Sequence, residues 1–239
     1  VISSSNFTSL NTEVYGGPIF NTWFDRPLSI AGRIIILNEG KLESRVINID
    51  KDLLVIPNVA IHLNKDPLTN PQKELPLASL TKYDSVNELL KALGIINEEE
   101  LVSFDWSVYS RNKAQLLGVN EELFMSPRID NLECAYTSLQ AFINSVNDNK
   151  VNVYCAFNNE EVGSQTKQGA ASTILYDVLR RIVKDEELYQ INIANSVMIS
   201  ADNAHAVHPN HPEMADPTNK VFMNKGIVIK HNANQRYTT

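Results

Sequence analysis

The sequence predicts an α/β protein in two parts, a β-rich part over residues 1–122 and an α/β part over residues 123–239. Two observations carry that prediction. Up to about residue 120 the apolar residues come in short runs, rich in Val and Ile and broken by turn residues. From about residue 123 helically spaced apolar positions alternate with compact apolar runs, the pattern of a layered structure with a largely parallel sheet.

Taken in order, "VYGGPIF" (14–20), "AGRIIIL" (31–37), "SRVINI" (44–49) and "LLVIPNVAIHL" (53–63) read as strands and hairpins. Gly16-Gly17, Asn38-Glu39-Gly40 and Pro57-Asn58 punctuate them. "NKDPLTNPQKELP" (64–76) is polar and carries prolines, which predicts an exposed loop. "DSVNELLKALG" (84–94) predicts a helix closed by Gly94. In the second part Leu132, Ala135, Tyr136, Leu139, Phe142, Ile143 and Val146 share one helical face, as do Ile174, Leu175, Val178, Leu179, Ile182 and Val183. "VNVYCAF" (151–157), "SVMIS" (196–200) and "GIVIK" (226–230) read as buried strands.

Composition narrows the function. At 239 residues the chain suits one or two domains of ~150 residues each, and a core of that size needs no disulfide or metal staple. A net charge of −7 argues against a broad basic face for nucleic acid, which needs clustered Lys and Arg. Cys134 and Cys155 form no Cys-x-x-Cys motif and are expected to be small buried hydrophobes. No apolar run approaches the ~18 residues of a membrane span, and the first residues lack the basic start and apolar stretch of a signal peptide. A cytoplasmic protein with no membrane partner is the expectation. The start at Val1 and the stop just after a predicted strand read as a piece of a longer chain.

Function in open α/β sheets gathers beyond the carboxyl ends of strands. Glu160-Glu161 follow the predicted strand 151–157, Asp202 follows 196–200, and Asp130 precedes the first helix of the second part. Each has a bland alternative. Asp130 could cap its helix with Glu133 completing a capping box, Glu160-Glu161 could be a solvated turn at a positive helix end, and Asp202-Asn203 could be turn chemistry. Together they also match a two-metal site. Such a site needs a bridging carboxylate, further ligands and a base for the shared water, with the ions about 3.5–4 Å apart. His205, His208 and His211 cluster in "HAVHPNH", where Pro209 and Pro212 argue against a continuous helix; an inert surface loop is the alternative. His62 in "AIHL" would by itself read as a strand or core histidine, and His231 has no distinguishing context.

In order, "YGGPIFNTWFDRPLSIAGRI", "PNVAIHL", "SPRIDNL", "FNNEEVGS", "SADNAHAVHPN" and "KGIVIKHNANQRY" resemble the aspartyl aminopeptidase and aminopeptidase I family of dinuclear zinc exopeptidases, from about Glu13 to the last residue. The resemblance implies an α/β catalytic domain with an inserted β-rich oligomerisation domain, two zinc ions per subunit, and dimers that assemble into dodecamers. The implied activity is hydrolysis of an acidic or neutral N-terminal residue from peptides with a free N-terminus. It implies that Asp130 bridges the zinc ions, that Glu161 and Asp202 each bind one, and that Glu160 is the general base. His205, Lys230 and Tyr237 are implied to line the substrate pocket, and His62 to reach a neighbouring subunit's site. Family members also carry a ligand histidine in a His-x-Asp motif before the Tyr-Gly-Gly stretch, and another after the segment that ends here. Neither is in this sequence, so the chain alone is expected to bind zinc weakly and to have little activity. The alternative is an incomplete oligomerisation or binding fragment of such an enzyme. A phosphoesterase would call for a phosphate-cradling glycine loop or a basic cluster, and neither is seen.

Overall fold

The computed structural model describes residues 1–3, 6–63, 76–146 and 149–231. Its backbone forms two units: Val1–Pro127 with Phe157–Ser172, and Arg128–Ala156 with Thr173–Thr239. Helices and strands are both present, as the α/β expectation requires.

In the first unit β1 (Ile2–Ser3) pairs with β2 (Thr8–Ser9). A longer hairpin follows, β3 (Leu28–Asn38) antiparallel to β4 (Lys41–Asn48), with Asn38 opposite Lys41. Its two linking residues, Glu39 and Gly40, have φ of 48° and 76°. Positive φ at both positions is what a two-residue type I′ turn demands, and its twist matches that of the strands. β5 (Leu77–Ser79) then pairs with β2, and α1 (Val86–Ala92) follows. Ser85 caps α1 by accepting from the Glu88 amide at 3.1 Å, and Glu88 Oε2 accepts in turn from the Asp84 amide at 2.9 Å. Gly94, at φ 69°, closes the helix: its N–H reaches the Lys91 carbonyl and that of Ile95 reaches Leu90. β6 (Glu100–Ser110) adds to the free edge of β3, giving the order β4-β3-β6. The hairpin of β7 (Gln115–Leu117) and β8 (Leu123–Met125) completes the unit's strands.

The core of this unit lies between the β3 sheet and α1. Leu28, Ile30, Ile34 and Ile36 of β3 are buried, with Leu89 and Leu90 of α1 and Ile96 just beyond it. Each such side chain contributes roughly 1.5–3 kcal/mol by leaving water, so the amphipathic face of a short helix suffices to hold it on the sheet.

The second unit contains α2 (Ile129–Asn144), α3 (Ile174–Ile182) and α4 (Glu186–Ala194). The Asp185 side chain caps α4 by accepting from the Leu188 amide at 2.7 Å. Tyr176 of α3 meets the buried Tyr189 of α4 edge-on, ring centroids 5.8 Å apart, and Arg180 lies over the Tyr176 ring while pairing with Glu186. Tyr154 donates to the Ala135 carbonyl of α2 at 2.8 Å and packs on Phe142, which seats the segment after α2 against that helix.

Several sequence expectations need correction. Residues 14–20 form no strand: Gly16 turns the backbone to φ 69°, and a 3-10 turn begins at Phe20. In 53–63 only Leu54 and Val55 make isolated bridges, because Pro57 has no amide to continue a ladder. Among the described residues, 151–157, 196–200 and 226–230 pair with no strand. A buried parallel strand needs neighbours on both edges and cover on both faces, and here Val197, Ile199 and Ile227 are 88%, 88% and 94% exposed. Cys155 is exposed and Cys134 half-buried rather than both buried, since the segments that carry them lack that cover. The expected loop at 64–76 lies outside the described residues, except Pro76, which is buried.

Candidate metal centre

In the second unit the start of α2 is irregular. Arg128 is left-handed at φ 62°, Asp130 and Asn131 have non-helical ψ of 112° and 28°, and the bond between those two is cis. Regular helix begins only after Asn131. Asp130 therefore does not act as an N-cap, and among the described residues its exposed carboxylate has no hydrogen-bond partner. Glu133 completes no capping box either; its Oε2 accepts from Asn203 Nδ2 at 3.0 Å. Asn131 Nδ2 donates to the Ala201 carbonyl at 3.2 Å. These two amide bonds tie the start of α2 to residues 201–203, next to Asp202. Lys230 joins the group, donating to Asp202 Oδ2 at 2.8 Å and to the Asn203 carbonyl at 2.6 Å.

The electrostatic result is legible at Cys134. Its thiol pKa is pushed up, first by burial, then by the charges of Asp202 and Glu133, with Asp130 adding to them and Lys230 opposing. Carboxylates thus outnumber cations around this point. Beside them Asn203 Oδ1 is buried and has no hydrogen-bond partner.

In the first unit Glu160 and Glu161 sit on a single 3-10 turn, Glu160–Val162, flanked by Asn159 at φ 60° and Gly163 at φ 90°. The Gly163 and Ser164 amides close the turn onto the Glu160 and Asn159 carbonyls at 2.9 and 3.0 Å. The Asn158 amide bonds the Gln168 carbonyl at 2.9 Å, and Thr166 Oγ1 donates to Asn159 Oδ1 at 2.7 Å. Gly169 makes this compactness possible, since a Cβ there would lie 2.0 Å from the Ser164 carbonyl oxygen. The glutamates are not at a helix N-terminus, because α3 begins only at Ile174. Both side chains are exposed and make no hydrogen bond to described residues, on a backbone that the turn holds fixed.

The remaining candidates are dispersed. His205 is exposed, and the rings of His208 and His211 lie 5.0 Å apart with their planes tilted by 43°. His208 accepts from the Asn210 amide, and His211 Nδ1 lies 3.2 Å from Glu213 Oε1, a local turn that occupies both rings. His62 lies on an exposed turn, which removes its reading as a strand or core histidine. Tyr237 lies outside the described residues.

Among the described residues no three His, Cys, Asp or Glu side chains converge on one point. The donor set nevertheless suits a divalent cation. In the first unit Glu160 and Glu161 present carboxylates without partners among the described residues; in the second, Asp130 does the same and Asp202 holds an ammonium group where a cation would sit. Nothing in local spacing points to Tyr15, Asn131, Asn159 or Asn203; only the doubled asparagine before the glutamates hints that the turn needs left-handed backbone.

The family model described as aminopeptidase I zinc metalloprotease (M18) matches residues 2–239. A probable M18 family aminopeptidase 2 from Clostridium acetobutylicum is 43% identical over 255 residues, covering 100% of this chain and 59% of that protein. The chain thus spans under two thirds of that relative's length. Among solved structures, Ape4 in a complex with Nbr1 superposes with TM-score 0.87 at 36% identity, covering 100% of this chain and 52% of that one. An S. cerevisiae mApe1 dodecamer superposes with TM-score 0.73 at 21% identity, covering 94% and 55%, a likeness of fold.

Proposed function

Because the chain belongs to the aminopeptidase I (M18) zinc metalloprotease family, we propose that its parent protein removes the N-terminal residue, acidic or neutral, from peptides with a free N-terminus. In this reading Asp130, Glu161 and Asp202 would hold two zinc ions per subunit, Asp130 as the ligand common to both and Glu161 and Asp202 as ligands of one each. Bound zinc would act as a Lewis acid toward the scissile carbonyl and would lower the pKa of the attacking water. Glu160 takes the proton from that water and returns it to the leaving amine. His205, Lys230, Tyr237 and His62 are assigned to the substrate side.

The observation that carries the reading is the pair Glu160-Glu161 on one pinned turn, with both carboxylates unpartnered among the described residues. Adjacent residues on a fixed turn can divide the work, one holding metal and the next moving a proton. Self-association into dimers and a dodecamer is part of the proposal, with the β-rich part as an inserted oligomerisation domain; the mApe1 dodecamer supports it by analogy of fold. A cytoplasmic location belongs to it as well, supported by two free thiols, which suit a reducing compartment.

The test uses the full-length protein with aminoacyl substrates. Glu160→Gln is expected to keep zinc content and lose kcat by roughly a hundredfold or more, while Asp130→Asn is expected to lose zinc itself. Retained turnover in Glu160→Gln, or full zinc content in Asp130→Asn, overturns the assigned roles.

A further inference from the structure

We propose that Tyr15 and Gly16 are positioning residues for the Glu160-Glu161 turn, setting where its carboxylates point. The proposal rests on the catalytic reading of those glutamates given above. It starts from a contact across 144 residues of sequence: Asn159 Nδ2 donates to the Tyr15 hydroxyl at 2.9 Å. The other end of the same amide accepts from Thr166 at 2.7 Å. Asn159 is the residue immediately before Glu160 and is left-handed at φ 60°. The amide is therefore held from both sides, by Tyr15 outside the loop and by Thr166 within it, and its backbone directs the turn that follows.

Gly16 makes the second contact. A Cβ on Gly16 would lie 2.8 Å from Glu161 Cβ, 3.1 Å from Glu161 Oε2 and 3.4 Å from the Glu161 carbonyl oxygen. Glu161 thus packs directly on the bare Cα of residue 16, which also has the left-handed φ of 69°. Only glycine meets both demands at once. Gly17 differs in both respects: it has no positive φ, and a Cβ there would meet nothing within 4 Å. The motif "YGG" therefore contains one residue that binds the turn, one that the turn leans on, and one spacer.

Matched glycines separate this role from general backbone strain. Gly40 has φ 76°, close to that of Gly16, but a Cβ on it would meet nothing within 4 Å. In the full-length protein, Gly16→Ala is expected to lower kcat and zinc affinity by roughly tenfold to a hundredfold, because small misplacements of catalytic groups cost that much. KM should change far less. Gly40→Ala should lose thermal stability comparably, with kcat and zinc affinity unchanged, and Gly17→Ala should change none of these. Tyr15→Phe keeps the ring and removes the hydroxyl; a loss of about fivefold in kcat is expected from one missing hydrogen bond. It carries the test if Gly16→Ala fails to fold. Hydrogen exchange at the Gly163 and Ser164 amides should quicken in Gly16→Ala and Tyr15→Phe and stay unchanged in Gly40→Ala. If the Tyr15 and Gly16 variants match Gly40→Ala in kcat, zinc affinity and exchange, the positioning role is overturned. A wild-type protein with no zinc-dependent hydrolysis would refute the functional reading, while exchange at those two amides would still decide whether Tyr15 and Gly16 hold the turn.

Discussion

Lys230 places its ammonium 2.8 Å from Asp202 Oδ2, joining positions 28 residues apart in sequence. Its side chain is one-third exposed and that of Asp202 more than half. In the proposed centre Asp202 holds zinc, so the lysine and the metal compete for one carboxylate.

The competition has a measurable sign. Lys230→Met in the full-length protein removes a positive charge beside the ligand and frees Asp202. An exposed pair contributes up to about 1 kcal/mol, so zinc affinity is expected to rise by roughly twofold to fivefold, read by competition with a chelating dye. Unchanged or weaker affinity counts against Asp202 as a ligand.

Cys134 offers a chemical probe of the same charges. Burial first, then Asp202 and Glu133, raise its pKa, so at neutral pH it is a thiol and alkylates slowly. A cation bound at Asp202 and Asp130 would cancel part of that field and lower the thiol pKa. Zinc is therefore expected to quicken iodoacetamide labelling of Cys134 at pH about 8.5, followed by mass spectrometry against the exposed Cys155. Slower labelling of Cys134 with zinc present would contradict the field described here.

Acid stability of the first unit should register at Glu99. The Asn97 backbone N–H, its own backbone N–H and Arg45 hold its pKa down from 4.5 to about 2. A depressed carboxylate pKa stabilises the fold above the unfolded value and loses that contribution as pH falls through the folded one. Between pH 4.5 and about 2, wild type should thus lose denaturant resistance faster than Glu99→Gln. Parallel losses in the two proteins over that window would show that Glu99 is not the group responsible.

Some of this was readable from residues alone, and some was not. The Glu39-Gly40 hairpin, the α1 stop at Gly94 and the helices α2 and α3 follow from turn chemistry and helical spacing, which act within a few residues, although no residue of α2 or α3 is buried. The sequence expectations include no strand at β6, although Val102, Phe104, Trp106 and Val108 alternate as a strand should. The apolar runs at 151–157, 196–200 and 226–230 have the right composition for strands, yet composition cannot supply the neighbouring chain that makes a ladder. Asp130 matched a capping pattern with Glu133, but the backbone at Asp130 and Asn131 is not helical and Glu133 turns to Asn203 instead.

The sequence by itself determined the family, the presence of both helices and strands, the Glu39-Gly40 hairpin and the helices α1, α2 and α3, because each depends on ordered motifs or on contacts between near neighbours. Only the tertiary structure decided which carboxylates have no partner among the described residues, that Lys230 sits on Asp202, and that Tyr15 and Gly16 touch the Glu160-Glu161 turn. Those contacts join residues 28, 144 and 145 positions apart. Their geometry follows from how the backbone is folded between them, which no local pattern encodes.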